Sequence, residues 1–156
     1  MKAAGLAAFW LAVAALFFYY FNHKINPNTV DELGDAPSVT LQRDLSSHYR
    51  AEVLVNGVKA SALVDTGATS VSISRRLADQ LGIQSNVAIR LHTANGDSVG
   101  YMARLDSVKL GGIEVHDVAA TIVPNLDGDL LLGMSFLNRM DVRLYKGTMT
   151  LRQVAE

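Results

Sequence analysis

From Tyr49 to Arg152 apolar and polar residues alternate in short runs, and a turn dipeptide breaks each run. A period of two is that of a half-buried strand, so this stretch is committed to sheet rather than helix. Tyr49 to Val55 alternates, Asn56-Gly57 supplies the strongest short-range hairpin signal, and Val58 to Val64 resumes the pattern. Val71-Ser72-Ile73 predicts a short strand, after which Ser74 caps a brief helix, Arg75 to Leu81, closed by Gly82. Val87 to Thr93, the turn Asn95-Gly96 and Ser98 to Leu110 predict a second hairpin, and Gly111-Gly112 turns into Ile113 to Val123. Pro124 and Asp127-Gly128 mark a loop before Leu130-Leu131-Leu132-Gly133, with one helical turn at Ser135 to Arg139. Val142 to Tyr145, Lys146-Gly147 and Thr148 to Arg152 predict a closing hairpin. Many short strands at close spacing imply an all-β sandwich or small barrel with one or two short helices.

The region before residue 49 is built differently. Ala3 to Phe21 carries no charge and no strongly polar side chain, and it ends in Phe17-Phe18-Tyr19-Tyr20-Phe21. A run of this length suits a helix crossing a hydrocarbon core, with the rings at the membrane–water boundary. No small-residue cleavage site follows, so residues 1–24 are expected to be an uncleaved transmembrane anchor. Residues 25–48 are polar, contain Pro27 and Pro37, and read as a flexible tether to a domain at 49–156. Lys2 and the amino terminus precede the apolar run, which favours the N-terminus inside and the domain on the extracytoplasmic, or periplasmic, side of an inner membrane.

Composition removes several classes of function. The net charge is −1, so nothing marks a nucleic-acid surface. There is no cysteine, which excludes disulfides, thiolate zinc sites and thiol nucleophiles. His23, His48, His92 and His116 are scattered without ligand spacing, and Asn125, Asp127 and Asp129 lack the glycine and final glutamate of a calcium loop. No metal or other cofactor is expected.

One segment carries a different signal. In Ala62-Leu63-Val64-Asp65-Thr66-Gly67-Ala68-Thr69 an apolar strand delivers a carboxylate into a tight turn. Thr66 offers a hydroxyl that can lock the turn, and Gly67 lets backbone or ligand approach closely. An Asp-Ser/Thr-Gly tripeptide arises by chance in a chain this long ~5% of the time, so the weight rests on the strand before it and the strand and helix after it.

With these residues in view, the chain resembles the retropepsin-like aspartic proteases, especially their bacterial membrane-anchored branch. The matching stretches are Leu63 to Thr69, Leu91-His92-Thr93-Ala94-Asn95-Gly96 and Leu130 to Leu137, within about residues 49–152. The resemblance implies a pepsin-like single-lobe barrel and makes Asp65 the catalytic aspartate in an active-site loop with Thr66, Gly67 and Ala68. It implies that Thr66 ties two halves of an active site together, that Gly67 touches the substrate backbone, and that Thr93, Ala94, Asn95 and Gly96 form the tip of a substrate-binding flap. Leu131, Leu132 and Gly133 would buttress the catalytic loop. Thr69 stands where retroviral relatives usually carry aspartate, and the flap has one glycine rather than several.

Aspartic proteolysis uses two carboxylates sharing one proton, because like charges ~3 Å apart cannot both ionise. This chain has a single Asp-Thr-Gly, so the second carboxylate has to come from another copy. The reading is a homodimeric endopeptidase acting on polypeptide substrates and seated in a lipid bilayer through residues 3–21. The alternative from another class is a dimeric peptide-binding or scaffold module of the same fold without efficient catalysis.

Overall fold

The computed structural model describes residues 2–25, 37–93 and 96–154. The order of elements is helix α1 (Lys2–Ile25), then β1 (Ser38–Gln42), β2 (Arg50–Val55), β3 (Val58–Val64), β4 (Val71–Ser74), α2 (Arg75–Gln80), β5 (Ala88–Thr93), β6 (Gly96–Leu110), β7 (Ile113–Val123), β8 (Leu130–Leu132), α3 (Met134–Leu137), β9 (Met140–Tyr145) and β10 (Thr148–Gln153). The all-β expectation holds for the region beyond residue 37, with two short helices.

Turn chemistry sets the registers. Asn56 and Gly57 both take positive φ, 46° and 82°, the combination of a two-residue hairpin turn that follows strand twist, and Val55 faces Val58 across it. Lys146 and Gly147 repeat the geometry at 46° and 83° between Tyr145 and Thr148. Ser74 caps α2 by accepting a hydrogen bond from Leu77 N–H on its Oγ at 3.2 Å.

Seven strands form one sheet in the order β2-β3-β8-β4-β7-β6-β5. The far end of β6 also pairs with β2, Leu54 with Lys109 and Val55 with Val108, which closes six of the strands into a barrel. β5 is left outside that closure, paired with β6 alone among the described residues. A three-stranded sheet, β1-β10-β9, lies beside the barrel. Both sheets bury apolar residues in one cluster, from Val39 and Leu41 of β1 through Ile73, Leu105, Ile122 and Leu132 of the barrel to Met149 and Leu151 of β10, with Leu77 and Phe136 supplied by the helices.

Of the tether expected over 25–48, residues 26–36 lie outside the described residues and 38–42 form a strand. Ser38–Gln42 pairs along its whole length with β10, Ser38 opposite Arg152 and Gln42 opposite Thr148, and Val39 and Leu41 are 0% exposed. Burying two apolar side chains in a five-residue strand with a complete ladder makes this segment part of the domain, which therefore begins at residue 38 rather than 49. The chain then turns at Asp44, whose Oδ1 accepts hydrogen bonds from Ser46 N–H at 2.8 Å and His48 N–H at 2.9 Å while Oδ2 pairs with Arg50 at 3.1 Å. Partial burial opposes ionisation of Asp44, but the His48 and Ser46 donors and the Arg50 guanidinium outweigh it, so its carboxyl lies below the ordinary carboxylate range.

The N-terminal run is helical, as expected, and its described side chains, 5–21, are all exposed. Among the described residues no helix is long and apolar enough to cross a membrane.

Candidate active site

β8 lies between β3 and β4 in the sheet. It runs parallel to β3, with Leu63 beside Leu131 and Val64 beside Leu132, and antiparallel to β4, with Ser72 beside Leu131 and Ile73 beside Leu130. The connection from β3 to β4 therefore has to pass across the end of β8. Residues 65–70 make that crossing, and Asp65 is its first residue.

The crossing is close. A Cβ placed on Gly133, the residue that follows β8, would lie 2.2 Å from Ser70 O and 2.7 Å from Ala68 O, so only glycine leaves room for the loop. The loop is then tied down on several sides. Asp65 N–H donates to Leu132 O at 3.2 Å, Met134 N–H donates to Ala68 O at 2.8 Å, and Ala68 N–H donates to Asp65 O at 3.3 Å. Gly67 N–H donates to Asp65 Oδ1 at 2.8 Å, which fixes the carboxylate against its own turn. Asp65 is half-buried, whereas Thr66 and Gly67 are exposed at the loop's outer surface.

The residues expected to buttress the loop divide between two faces. Leu132 is buried in the core and Gly133 lies beneath the crossing, but Leu131 is half-buried on the opposite side of the sheet. Register places Leu131 in a lateral row, Leu63–Leu131–Ser72–Thr121–Met102, and laterally paired residues share a face. Asp65 follows Leu63 by two residues, so strand alternation puts this row on the face of the sheet that leads to the carboxylate, the side on which a substrate cleft is expected.

Two serines support the loop in ways the sequence reading did not assign. Ser135 Oγ accepts from Val71 N–H at 2.9 Å and donates to Ala119 O at 2.7 Å, joining the end of the crossing to β7. Ser70 Oγ and Thr121 Oγ1 are 2.9 Å apart and make a second tie between loop and β7. The only local sign was the placement of Ser135 just after the Leu-Leu-Leu-Gly run; its partners lie far away in sequence.

Of the residues expected to form a flap, Thr93 and Gly96 face each other at the end of the β5–β6 ladder, with Thr93 Oγ1 donating to Gly96 O at 2.7 Å. Ala94 and Asn95 lie outside the described residues. A groove of about 610 Å³ opens elsewhere, along β2, lined by charged residues including Arg50, Glu52, Lys59 and Lys109, and Asp65 takes no part in it.

A carboxylate presented on a pinned loop at the end of an apolar strand, with a glycine-floored crossing beneath it, agrees with the family profile that residues 51–139 match, described as "gag-polyprotein putative aspartyl protease". The chain belongs to the retropepsin-like aspartic protease family. It is similar to the crystal structure of a retropepsin-like aspartic protease from Rickettsia conorii, with 28% identity and a TM-score of 0.68 over 76% of this chain and 92% of that one. In sequence it is 32% identical over 109 residues to an uncharacterized protein in the cobV 5′ region of a Sinorhizobium species, covering 67% of this chain and 46% of the relative. It is likewise 32% identical over 105 residues to the uncharacterized protein RP867 of Rickettsia prowazekii (strain Madrid E), covering 65% of this chain and 45% of the relative. The chain thus spans under half the length of these two relatives.

Proposed function

We propose that this chain is one subunit of a homodimeric aspartic endopeptidase in which Asp65 is the catalytic carboxylate. The observation that carries the reading is the pinned Asp65-Thr66-Gly67 loop over Gly133, with Oδ1 held by Gly67 N–H. A second copy brings its own Asp65 against the first, and the pair shares one proton. One carboxylate then takes a proton from water while the other donates to the peptide carbonyl oxygen. In this reading the exposed Thr66 hydroxyl bonds across to the partner's loop, and Gly67 meets substrate backbone. The wall of Leu63, Leu131 and Met102 favours apolar side chains on a polypeptide substrate.

The uncharged apolar sequence at 3–21, rather than the helix itself, motivates a further part of the reading: a single-pass anchor in the inner membrane, with the protease domain on the extracytoplasmic side. Anchoring both copies in one bilayer raises their effective concentration, so a weak dimer in solution is still a dimer in place.

The test uses the full chain in membranes and in detergent, wild type beside Asp65→Asn, with a diverse peptide mixture from about pH 4 to pH 7. Cleavage should be abolished in Asp65→Asn, rise faster than linearly with protein concentration, and fall toward neutral pH as both carboxylates of the dyad ionise. A rate still climbing above neutrality, or cleavage that survives in Asp65→Asn, sinks the mechanism.

A further inference from the structure

Strand alternation decides which way each side chain of the β5–β6 hairpin points. A Cβ on Gly100 would meet Leu91 Cδ1 and Thr121 Cγ2, both at 2.7 Å, so the Leu91 and Thr121 side chains flank Gly100 on one face of the sheet. Thr121 belongs to the row on the expected cleft face. Ile89, Leu91, Ser98 and Gly100 therefore share the cleft side of the hairpin, and Arg90, His92, Asp97 and Val99 share the outer side.

On that outer side His92 and Asp97 stand directly opposite each other, one rung before the Thr93–Gly96 end of the ladder, with Nδ1 2.7 Å from Oδ1. The side chains are 78% and 63% exposed, so the contact is neither core packing nor part of the cleft. The other charged groups on this side are Arg90 of β5 and, farther from the tip, Arg75 of α2, whose guanidinium lies 5.5 Å over the Tyr101 ring. β5 has no neighbour but β6 among the described residues, so the tip depends on this one ladder and the side chains that bridge it.

We propose that His92 and Asp97 are positioning residues that clamp the flap tip from its outer side, keeping the Thr93–Gly96 rung formed so that the hairpin meets a polypeptide substrate already ordered. The purpose of the clamp rests on the aspartic protease reading; its existence does not. An exposed cross-strand pair slows opening of the adjacent rung by a factor of about two to five. Because the ordering precedes binding, its loss should appear in KM and leave kcat unchanged.

The experiment compares the full chain with His92→Ala, Asp97→Ala and the reciprocal exchange His92→Asp/Asp97→His. Amide hydrogen exchange at Thr93, Gly96 and Asp97 should quicken about two- to fivefold in each single variant, leave β3 and β8 unchanged, and return to the wild-type rate in the reciprocal exchange. That return separates loss of the contact from loss of strand propensity. In peptide cleavage, KM should rise by a similar factor in the single variants and recover in the exchange. Unchanged tip exchange in both single variants, no recovery in the reciprocal one, or a fall in kcat with KM constant overturns the clamp. The expected exchange pattern in a protein that cleaves no peptide upholds the clamp and removes the protease reading instead.

Discussion

The crossing loop at residues 65–70 and the β5–β6 hairpin are held in opposite ways. The loop, crossing the end of β8, is bonded to β8, α3 and β7, and its carbonyls rest on Gly133 with no space between. β5 stands outside barrel closure and is joined to the sheet through β6 alone among the described residues. In the proposed protease reading, the pinned loop is the cleft floor and the lightly held hairpin is the flap, a fixed carboxylate beneath a cover that can open.

That contrast can be broken most sharply at glycine. Gly133→Ala drives a methyl group into the carbonyls of Ser70 and Ala68, backbone atoms that cannot move aside without breaking the crossing, and should cost ~3 kcal/mol or more, read as a large fall in the urea midpoint or as failure to fold. Gly96→Ala, at φ +106° with nothing within 4 Å, should cost only ~1–2 kcal/mol, confined to the flap. Equal losses at the two positions would abolish the distinction between floor and flap.

An effect smaller than that of Gly133→Ala is expected at Ser135→Ala. It leaves Val71 N–H and Ala119 C=O without their partner, for ~1–3 kcal/mol of stability, and should lower activity further by loosening Asp65. A matching loss of stability with undiminished kcat/KM would show that the serine serves the fold alone.

The smallest effect lies away from both regions. Asp44→Asn removes charge from the turn that leads β1 into β2 and should cost ~1 kcal/mol near neutral pH. Because the Asp44 carboxyl is lowered in the folded chain, its stabilisation is complete above the ordinary carboxylate value and fades as pH falls through the lowered one. The variant's stability should therefore depend less on pH in the acid range, seen in urea midpoints measured from about pH 3 to pH 6.

Legibility in the sequence followed the range of the interactions involved. Asn56-Gly57 and Lys146-Gly147 announce their hairpins because the turn and its register are decided within four residues. The boundaries of β3 and β7 coincide with the expectation for the same local reason. β1 is not legible in the sequence because only Val39 and Leu41 mark it among polar neighbours, and the partner that makes it a strand is β10, over a hundred residues later. At the site, Asp65-Thr66-Gly67 stands out as a tripeptide. The necessity of Gly133 and the bonds of Ser135 follow only from one strand threading between two others, which no local pattern displays.

That threading also sets an order of events when the chain is made. Ser61 of β3 bonds to Asp129 across a separation of 68 residues, and the Asp65 loop has nothing to cross until β8 has arrived. A chain still emerging from the ribosome, or one cut short before residue 133, carries the aspartate but not the frame that aims it. The fold thus leaves the Asp65 loop unframed until β8 has been made.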